Sequence, residues 1–303
     1  MSTLRAEPSL ALRPGPWEHR MVAANGARFH VAEMGEGPMV VLLHGFPQFW
    51  WAWRVVLPAL AEAGYRAVAM DLRGYGASDK PPRGYDPFTL TGDVAGVVRS
   101  LGAQQVDVVG HGLGGMLAWS MPVLAGDMVR SVAVLSAAHP RAQRAVLPRE
   151  ATALASCLRA LPLQLPLLPE RRLRRDSGAA VVAMLREWSQ LDWADSQAPA
   201  VFGEAFTIPA VAHCALEFHR WAFRSLPRTD GRRYAAVMAT PMSVPVLQLH
   251  GARDPLVAPE LAGGARYVSA DYRWRLLEQV GHFPHEEAPS RVIAELLDFL
   301  GSR

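Results

Sequence analysis

The chain has 303 residues, of which 50% are hydrophobic and 19% are charged, and its formal net charge is +3. This composition excludes an intrinsically disordered protein, which needs low hydrophobicity and a high net charge, and the length suffices for a large buried core. Lys80 is the only lysine among the 31 basic residues. Basic charge alone is no evidence for a polyanionic partner, so we expect no nucleic acid to bind.

The sequence carries no signal for a membrane or for secretion. It has no apolar run of about 18 residues, and its first 20 residues lack the apolar centre of a signal peptide. We therefore expect a cytoplasmic protein with no membrane partner, whose residues 1–16 form a flexible N-terminal tail. Cys157 and Cys214 belong to no CxxC or Cys/His cluster, so we predict that both are free, buried thiols.

Short apolar runs alternate with helix-like stretches in the first half of the chain. The predicted strands lie at residues 27–35, 38–46, 65–72, 105–112 and 131–139, and the predicted helices at 50–64, 89–102 and 114–126. Strands that are apolar throughout are buried on both faces, which is typical of parallel sheets with helical crossovers. This rhythm predicts an α/β fold with a mostly parallel sheet and helices on both faces.

The rhythm stops between residues 140 and 235, where no convincing strand occurs. Strand-like runs return at residues 245–254 and 272–282, before a last helix at 289–302. We therefore predict one α/β core, residues 17–139 and 236–303, with an inserted helical cap at residues 140–235.

The predicted cap also carries the excess of basic charge. It contains 14 arginines, no lysine and 9 acidic residues. Its densest run is Arg171, Arg172, Arg174 and Arg175, for which a solvated helix face is a simpler explanation than an anionic partner.

Three groups of chemically active residues lie where predicted strands end, which is where open α/β sheets bind ligands. In the HGFP motif at residues 44–47, Gly45 permits a sharp turn, and the N–H of Phe46 is a candidate donor to an oxyanion. Asp254 and His282 are the last residues of the last two strand-like runs. In this order they fit a general base, His282, oriented by the Asp254 carboxylate. Each motif alone would also suit an ordinary capped loop.

His282 also begins an H-x-x-H pattern with His285, followed by two glutamates. Paired histidines can bind zinc, but the sequence offers no third group of ligands. Pro284 disfavours a helix that would stack the two histidines on one face. We therefore predict no metal site.

The sequence VVGHGLGG at residues 108–115 joins a predicted strand to a predicted helix, as a nucleophile elbow does. Gly110 and Gly114 are the small flanking residues, so the nucleophile belongs at residue 112, which is glycine. Because Gly112 has no side chain, this position is vacant, and covalent catalysis from the elbow is excluded. We expect the N–H of Leu113 to be the second oxyanion donor, beside that of Phe46.

The same glycines satisfy G-x-G-x-x-G through Gly110, Gly112 and Gly115, which makes dinucleotide binding the competing hypothesis. The motif follows three earlier strands instead of opening the fold, and the next predicted strand ends without an acidic residue for a ribose. We therefore expect no cofactor.

Five motifs together resemble the α/β-hydrolase superfamily, in its epoxide-hydrolase-like branch. They are HGFPQFWWAWR, DLRGYGASDKPP, VVGHGLGG, HGARDPLV and GHFPHEEAP, in this order. The resemblance covers residues 17–140 and 236–303. It implies an eight-stranded, mostly parallel sheet, a helical cap after the sixth strand, and a site between cap and core. It also implies an Asp nucleophile at the elbow and two cap tyrosines that activate the epoxide oxygen.

The sequence departs from that family at the residues that would do the chemistry. Gly112 stands where the epoxide hydrolases have Asp and where their esterase relatives have Ser. In ALEFHRW, which resembles the cap helix that supplies a tyrosine before an arginine, His219 precedes Arg220. No tyrosine occurs between Tyr85 and Tyr234, so neither of the implied tyrosines is evident.

We predict an epoxide-hydrolase-like enzyme for a small apolar epoxide or ester, with His282 and Asp254 as the general-base pair and no elbow nucleophile. His44, Trp51 and His219 are the predicted substrate contacts. A proton-transfer or lyase reaction that uses the same histidine fits the sequence equally well.

Two other interpretations stay open. In the first, the chain is a catalytically silent homologue that serves as a small-molecule binder or a regulator. In the second, Gly112 is an engineered replacement of the nucleophile of an active enzyme. Dehalogenation is not expected, because Leu113 and Phe46 stand where haloalkane dehalogenases have tryptophan and asparagine. We expect a small apolar molecule as the partner, and a homodimer is the default oligomer.

Overall fold

The computed structural model describes residues 8–146, 161–193 and 196–302. The strands are β1 (Glu18–Ala24), β2 (Ala27–Met34), β3 (Met39–Leu43), β4 (Arg66–Met70), β5 (Val106–His111), β6 (Val129–Leu135), β7 (Val246–Gly251) and β8 (Tyr272–Leu277). They form one sheet in the order β1-β2-β4-β3-β5-β6-β7-β8. Only β1–β2 and β2–β4 pair antiparallel. The predicted α/β fold with an eight-stranded, mostly parallel sheet is confirmed.

Some of the described α-helices cover the two faces of this sheet, and others lie in the long segment between β6 and β7. They are α1 (Val56–Glu62), α2 (Pro87–Ser100), α3 (Leu113–Leu124), α4 (Pro140–Val146), α5 (Leu168–Arg174), α6 (Ala179–Trp188), α7 (Ala198–Ala205), α8 (Val211–Arg224), α9 (Thr229–Val237), α10 (Pro259–Ala262), α11 (Pro284–Glu287) and α12 (Pro289–Gly301). From β3 the chain continues to β4, on the side of the sheet edge formed by β1. From β5 it continues to β6, on the side of the opposite edge, formed by β8. Right-handed crossovers therefore put α1 and α3 on opposite faces, and the order reverses beside β3 and β5.

Burial explains which strands the sequence could predict. Every residue of β3, β5 and β7 is buried, in agreement with their continuous apolar sequences. Strand β1 was not predicted, because it lies at the sheet edge and only Val22 of its seven residues is buried. Such a strand has no apolar periodicity from which a strand could be predicted.

The segment between the sixth and seventh strands contains helices and loops. Among its described residues, 140–146, 161–193 and 196–235, no strand occurs. We call residues 140–235 the cap segment.

The predicted flexible tail differs from the structure over residues 8–16. Residues Pro8–Ala11 form a short 3-10 helix, and Ala11 is fully buried. The carbonyl of Ala11 accepts a hydrogen bond of 2.7 Å from the indole N–H of Trp50. A buried indole needs an acceptor, so this contact holds the segment on the core. The remaining part of the predicted tail, residues 1–7, lies outside the described residues.

Neither a membrane span nor a disulfide is found in the part of the chain that the structure describes. None of the described helices is long and apolar enough to cross a membrane. Cys214 is a free, buried thiol, and Cys157 lies outside the described residues.

Two core histidines are expected to make the protein sensitive to mild acid. His111 and His139 are fully buried, and burial lowers the pKa of each from 6.5 to about 3. Both rings stay neutral in the folded protein but bind protons in the unfolded chain below pH 6.5. Stability is therefore complete above this pH and is lost as the pH falls towards 3. We expect a loss of about 1.4 kcal/mol per pH unit for each histidine.

Urea unfolding followed at pH values between about 7.5 and 5 measures this loss. Ordinary carboxyl groups titrate mostly below this range, so the change reports on buried histidines. His44, His219, His250 and His285, whose pKa values burial also lowers, add to it in the same direction. A free energy of unfolding that stays constant over this range would contradict the prediction.

Candidate active site

His282 and Asp254 meet at the carboxyl end of the sheet. Asp254 follows β7, and His282 lies in the loop after β8. The His282 Nδ1 atom lies 2.9 Å from Asp254 Oδ2, while Asp254 Oδ1 accepts the N–H groups of Leu256 and Val257 at 2.8 and 3.2 Å. Because a carboxylate only accepts, Nδ1 carries the proton and donates it. The Nε2 atom is then the unprotonated, basic nitrogen of the neutral ring.

The Asp254 carboxylate is ionised although its side chain is fully buried. Burial opposes the charge, but the adjacent His282, the nearby His250 and the N–H of Leu256 hold the pKa of Asp254 below its ordinary value. An ionised Asp254 fixes the tautomer of His282 and stabilises the imidazolium that forms when the ring accepts a proton.

The elbow keeps its sharp turn although its nucleophile position is glycine. Gly112 lies between β5 and α3 with φ 52° and ψ −111°. A Cβ on Gly110 would lie 2.1 Å from the carbonyl oxygen of Gly114, and a Cβ on Gly114 would lie 2.1 Å from that of Leu43. These glycines are therefore explained by close backbone contacts in the turn, and no dinucleotide is needed to account for them.

The space above Gly112 is open towards His282. A Cβ built on Gly112 would lie 3.6 Å from His282 Nε2 and 3.6 Å from Gly45 Cα, which are ordinary contact distances. No other atom of the described residues lies within 4 Å of that point, apart from the immediate chain neighbours. The position of the missing side chain is thus a small space beside the basic nitrogen.

Phe46 and Leu113 border this space. Leu113 is the first residue of α3, so its N–H lacks an acceptor within the helix. Within the described residues, neither its N–H nor that of Phe46 donates to a protein acceptor. Two backbone donors thus flank Gly112, and both residues line the same cavity.

A cavity of about 320 Å³ opens above Gly112, between the core and the cap segment. Its polar lining residues are Ser136, Gln143, His219 and His282. Most of the remaining lining is apolar and includes Phe46, Leu113, Met116, Leu163, Trp188, Phe218, Leu256 and Val257. An apolar cavity with a few polar groups is typical of a small-molecule site.

His219 lies in this cavity, as predicted for a substrate contact. It belongs to α8, and its ring packs edge-on against Phe46 at 4.8 Å between centroids. Burial lowers the pKa of His219 to about 4, so the ring is neutral at pH 7. Its Nε2 atom is buried and bonds to none of the described residues. His219 therefore has hydrogen-bonding capacity that a ligand could use.

Ser136 is a cavity residue that the sequence analysis did not single out. It directly follows β6, has φ 48°, and its buried Oγ has no partner among the described residues. A strained backbone and an unpaired buried hydroxyl are features of functional sites. Its position could have indicated a site residue, because Ser136 is a polar residue directly after an apolar strand.

His44 and Trp51, two predicted substrate contacts, do not line this cavity. His44 is fully buried; its Nε2 accepts the N–H of Leu72 at 3.1 Å, which leaves Nδ1 to donate to the Gly45 carbonyl at 3.1 Å. The Trp51 ring instead packs under the guanidinium of Arg54 at 4.2 Å. The sequence could not separate residues near the turn from residues that face the cavity.

The backbone of His282 is held from two sides. His111 donates from Nε2 to the His282 carbonyl at 2.7 Å, because its low pKa leaves a neutral ring with one N–H. The N–H of His282 donates to the carbonyl of Trp188, in the cap segment, at 2.8 Å. These contacts join residues far apart in sequence, and no local motif predicts them.

Glu287 fixes the same loop through its carboxylate. It accepts the N–H groups of Gly281 and Phe283, which flank His282, at 2.8 and 2.9 Å. It also accepts the N–H of Gln190 in the cap segment at 2.8 Å. One carboxylate therefore ties the histidine loop to the cap segment.

We expect Glu287→Gln to lower the free energy of unfolding by about 2–3 kcal/mol. Hydrogen bonds to a charged group contribute about 1.5–3 kcal/mol each, and glutamine turns an acceptor into a donor that faces N–H groups. Glu278→Gln, at an exposed position in the same region, is the matched control for urea unfolding. Equal stabilities of the two variants would show that Glu287 does not hold the loop.

His285 belongs to a different network from His282. Its Nε2 lies 3.0 Å from Gln48 Oε1, and its ring packs on Trp53 at 4.8 Å. Over residues 8–146, 161–193 and 196–302, no cluster of three or more His, Cys, Asp or Glu side chains could hold a metal ion. The H-x-x-H pattern is thus accounted for by packing and hydrogen bonds.

Several known proteins with similar sequences and structures are hydrolases. A model described as "Alpha/beta hydrolase family" matches residues 40–296. Epoxide hydrolase A of Mycobacterium tuberculosis is 33% identical over 313 residues, which cover 93% of this chain and 96% of that protein. The likeness extends over the cap segment, which the sequence motifs did not cover.

Two solved epoxide hydrolases share the architecture. VrEH1 from Vigna radiata matches with a TM-score of 0.81 and 26% identity, over 96% of this chain and 100% of that one. Epoxide hydrolase A from Mycobacterium thermoresistibile matches with a TM-score of 0.73 and 29% identity, over 94% and 98% of the two chains.

Proposed function

Because this chain belongs to the alpha/beta hydrolase family, in its epoxide-hydrolase-like branch, we propose that it hydrolyses a small apolar epoxide or ester by general-base catalysis. No covalent intermediate forms at the elbow, since Gly112 offers no nucleophile. One observation carries the proposal: His282 Nε2 lies 3.6 Å from the point where a Cβ of residue 112 would stand. A water molecule in this space can donate a hydrogen bond to the imidazole.

The catalytic pair acts on that water. His282 Nε2 accepts a proton as the water oxygen attacks, and Asp254, 2.9 Å from Nδ1, stabilises the imidazolium. General-base assistance of this kind accelerates a reaction by about 10²–10⁴-fold. The enzyme we propose is therefore slow compared with hydrolases that form a covalent intermediate.

With an ester, the water oxygen bonds to the carbonyl carbon while its proton passes to His282. The resulting oxyanion accepts the N–H groups of Phe46 and Leu113, the two backbone donors beside Gly112. Collapse of this intermediate breaks the bond to the alcohol oxygen, which takes the proton from the imidazolium. The products are the acid and the alcohol.

With an epoxide, the water oxygen bonds to one ring carbon, and the bond from that carbon to the ring oxygen breaks. His219 offers one N–H to the ring oxygen, because a neutral imidazole keeps one proton. Solvent carries the proton from the imidazolium to the alkoxide, and the product is a diol.

The cavity favours a small substrate with an apolar body and one polar oxygen. Its volume of about 320 Å³ lies at the small end of ligand pockets, and most of its lining is apolar. Charged side chains do not contribute to the described lining, so an anionic substrate would gain no ion pair there.

The proposal is tested by assaying the chain, at high enzyme concentration, against small aryl epoxides and aryl esters. We expect hydrolysis that is faster than in buffer alone. This activity should co-purify with the folded protein. No hydrolysis of any substrate would contradict the proposal and would favour a catalytically silent binder.

A further inference from the structure

The cap segment displays an unusual concentration of exposed leucines. Eight large apolar side chains are exposed among the described residues, and four of them lie within residues 161–168. Leu161, Leu165, Leu167 and Leu168 expose 44%, 49%, 63% and 61% of their surface. Single exposed leucines are common, but a group of four in eight residues marks an interaction surface.

Arginines follow these leucines in the sequence and share a cleft with Leu168. Residues 161–168, the leucine segment, lead directly into helix α5. Leu168, Arg171, Arg172 and Arg175 line one shallow cleft of about 340 Å³. Their spacing of three, four and seven residues places them on one side of the helix. The only acid in the lining is Asp176, which lies 3.4 Å from Arg175, so the cleft has a net positive charge.

The leucine segment is held firmly in this position. The buried guanidinium of Arg220, in α8, donates to the carbonyls of Leu163 and Leu165 at 3.0 and 2.8 Å. Arg220 is itself paired with Glu170 at 2.8 Å and with Glu217 at 2.9 Å. The backbone around Leu165 is therefore fixed by the cap segment itself, and the exposure of Leu165 does not depend on a partner.

We propose that this surface binds an anionic lipid bilayer. We name it the Leu–Arg surface and define it as Leu161, Leu165, Leu167, Leu168, Arg171, Arg172 and Arg175. Exposed leucines enter the boundary between headgroups and acyl chains, while arginines next to them bind lipid phosphates, to which guanidinium groups are well matched. A bilayer also needs no shape complementarity from a segment as irregular as residues 161–168, which contains two prolines.

The Leu–Arg surface adjoins the active-site cavity. Leu163, between two of the exposed leucines, lines that cavity. Docking would thus bring the cavity close to the acyl chains, where apolar molecules accumulate. The binding itself does not depend on the proposed reaction, so the two can fail separately.

Co-sedimentation of the full chain with vesicles tests the proposal. We expect binding to phosphatidylglycerol vesicles, much weaker binding to phosphatidylcholine vesicles, and release by salt. The triple variant Arg171→Gln/Arg172→Gln/Arg175→Gln should weaken partitioning by about 100-fold. The double variant Leu165→Ser/Leu167→Ser should weaken it by about 10-fold or more.

A matched control removes the same charge elsewhere. Arg99, Arg232 and Arg291 are exposed at other places, and their triple replacement by glutamine should leave most of the binding intact. Equal losses in the two triple variants, or no binding of the original chain to phosphatidylglycerol, would overturn the proposal. Full binding by the leucine variant would also overturn it, because the chain would then adsorb through charge alone.

Discussion

Replacing His282 by alanine is expected to lower turnover on an aryl ester or epoxide by about 10²–10⁴-fold. Among the described residues, apart from the immediate chain neighbours, His282 supplies the only basic nitrogen within 4 Å of the vacant position, with Nε2 3.6 Å from the site of a residue-112 Cβ. Its loss removes the proton acceptor for the attacking water and leaves the cavity and the two backbone donors in place. Steady-state kcat and KM, measured with purified protein, should show a fall in kcat with little change in KM.

The control for this variant is His213→Ala. His213 lies in the same cap helix as His219, but its side chain is 48% exposed and pairs with Glu170 outside the cavity. This variant should retain the original turnover. If both variants retained it, the activity would not come from His282, and the proposed mechanism would be wrong.

Introducing the missing carboxylate, Gly112→Asp, is expected to raise turnover by at least about 100-fold. A positioned nucleophile replaces a water that must be captured from solvent, and effective molarities of such groups reach about 10⁵–10⁸ M. The geometry admits a Cβ at this position, because among the described residues it would meet Gly45 Cα and His282 Nε2 at the ordinary contact distance of 3.6 Å. The φ of 52° is a cost for any residue with a Cβ, and we expect a stability loss of about 1–2 kcal/mol.

The matched control is Gly112→Asn, which has nearly the same size and backbone strain but is a poor nucleophile. It should lose similar stability and gain no activity. In the double variant Gly112→Asp/His282→Gln, the alkylated or acylated carboxylate should accumulate, since the base that hydrolyses it is absent. Mass spectrometry of the intact protein detects this adduct. Equal activities of the Asp and Asn variants, with no adduct, would mean that the cavity does not place a substrate over residue 112.

The parts of the molecule that could be predicted from sequence are those that local patterns determine. Strands β3, β5 and β7 are buried over their whole length, so their apolar runs were evident, and the residues after them were easily named. Asp254 and His282 could be paired in advance because parallel strands end at one edge of the sheet. Edge strand β1 offered no such pattern.

Contacts between distant segments could not be predicted. The carbonyl of Trp188 accepts the N–H of His282, and Glu287 accepts that of Gln190; both contacts depend on how the cap segment lies on the core. His44 illustrates the opposite error. It is the first residue of the HGFP motif, but its ring faces the core and accepts the N–H of Leu72.

The most direct test of the account is a single turnover in H₂¹⁸O with enzyme in excess over a small aryl epoxide. Because the water beside His282 attacks the substrate itself, the diol from the first turnover should carry one solvent ¹⁸O. For Gly112→Asp, the first diol should instead take an unlabelled oxygen from the new carboxylate. An unlabelled diol from the original chain would show that a protein side chain attacks the substrate, and would contradict the central claim of direct water attack beside Gly112.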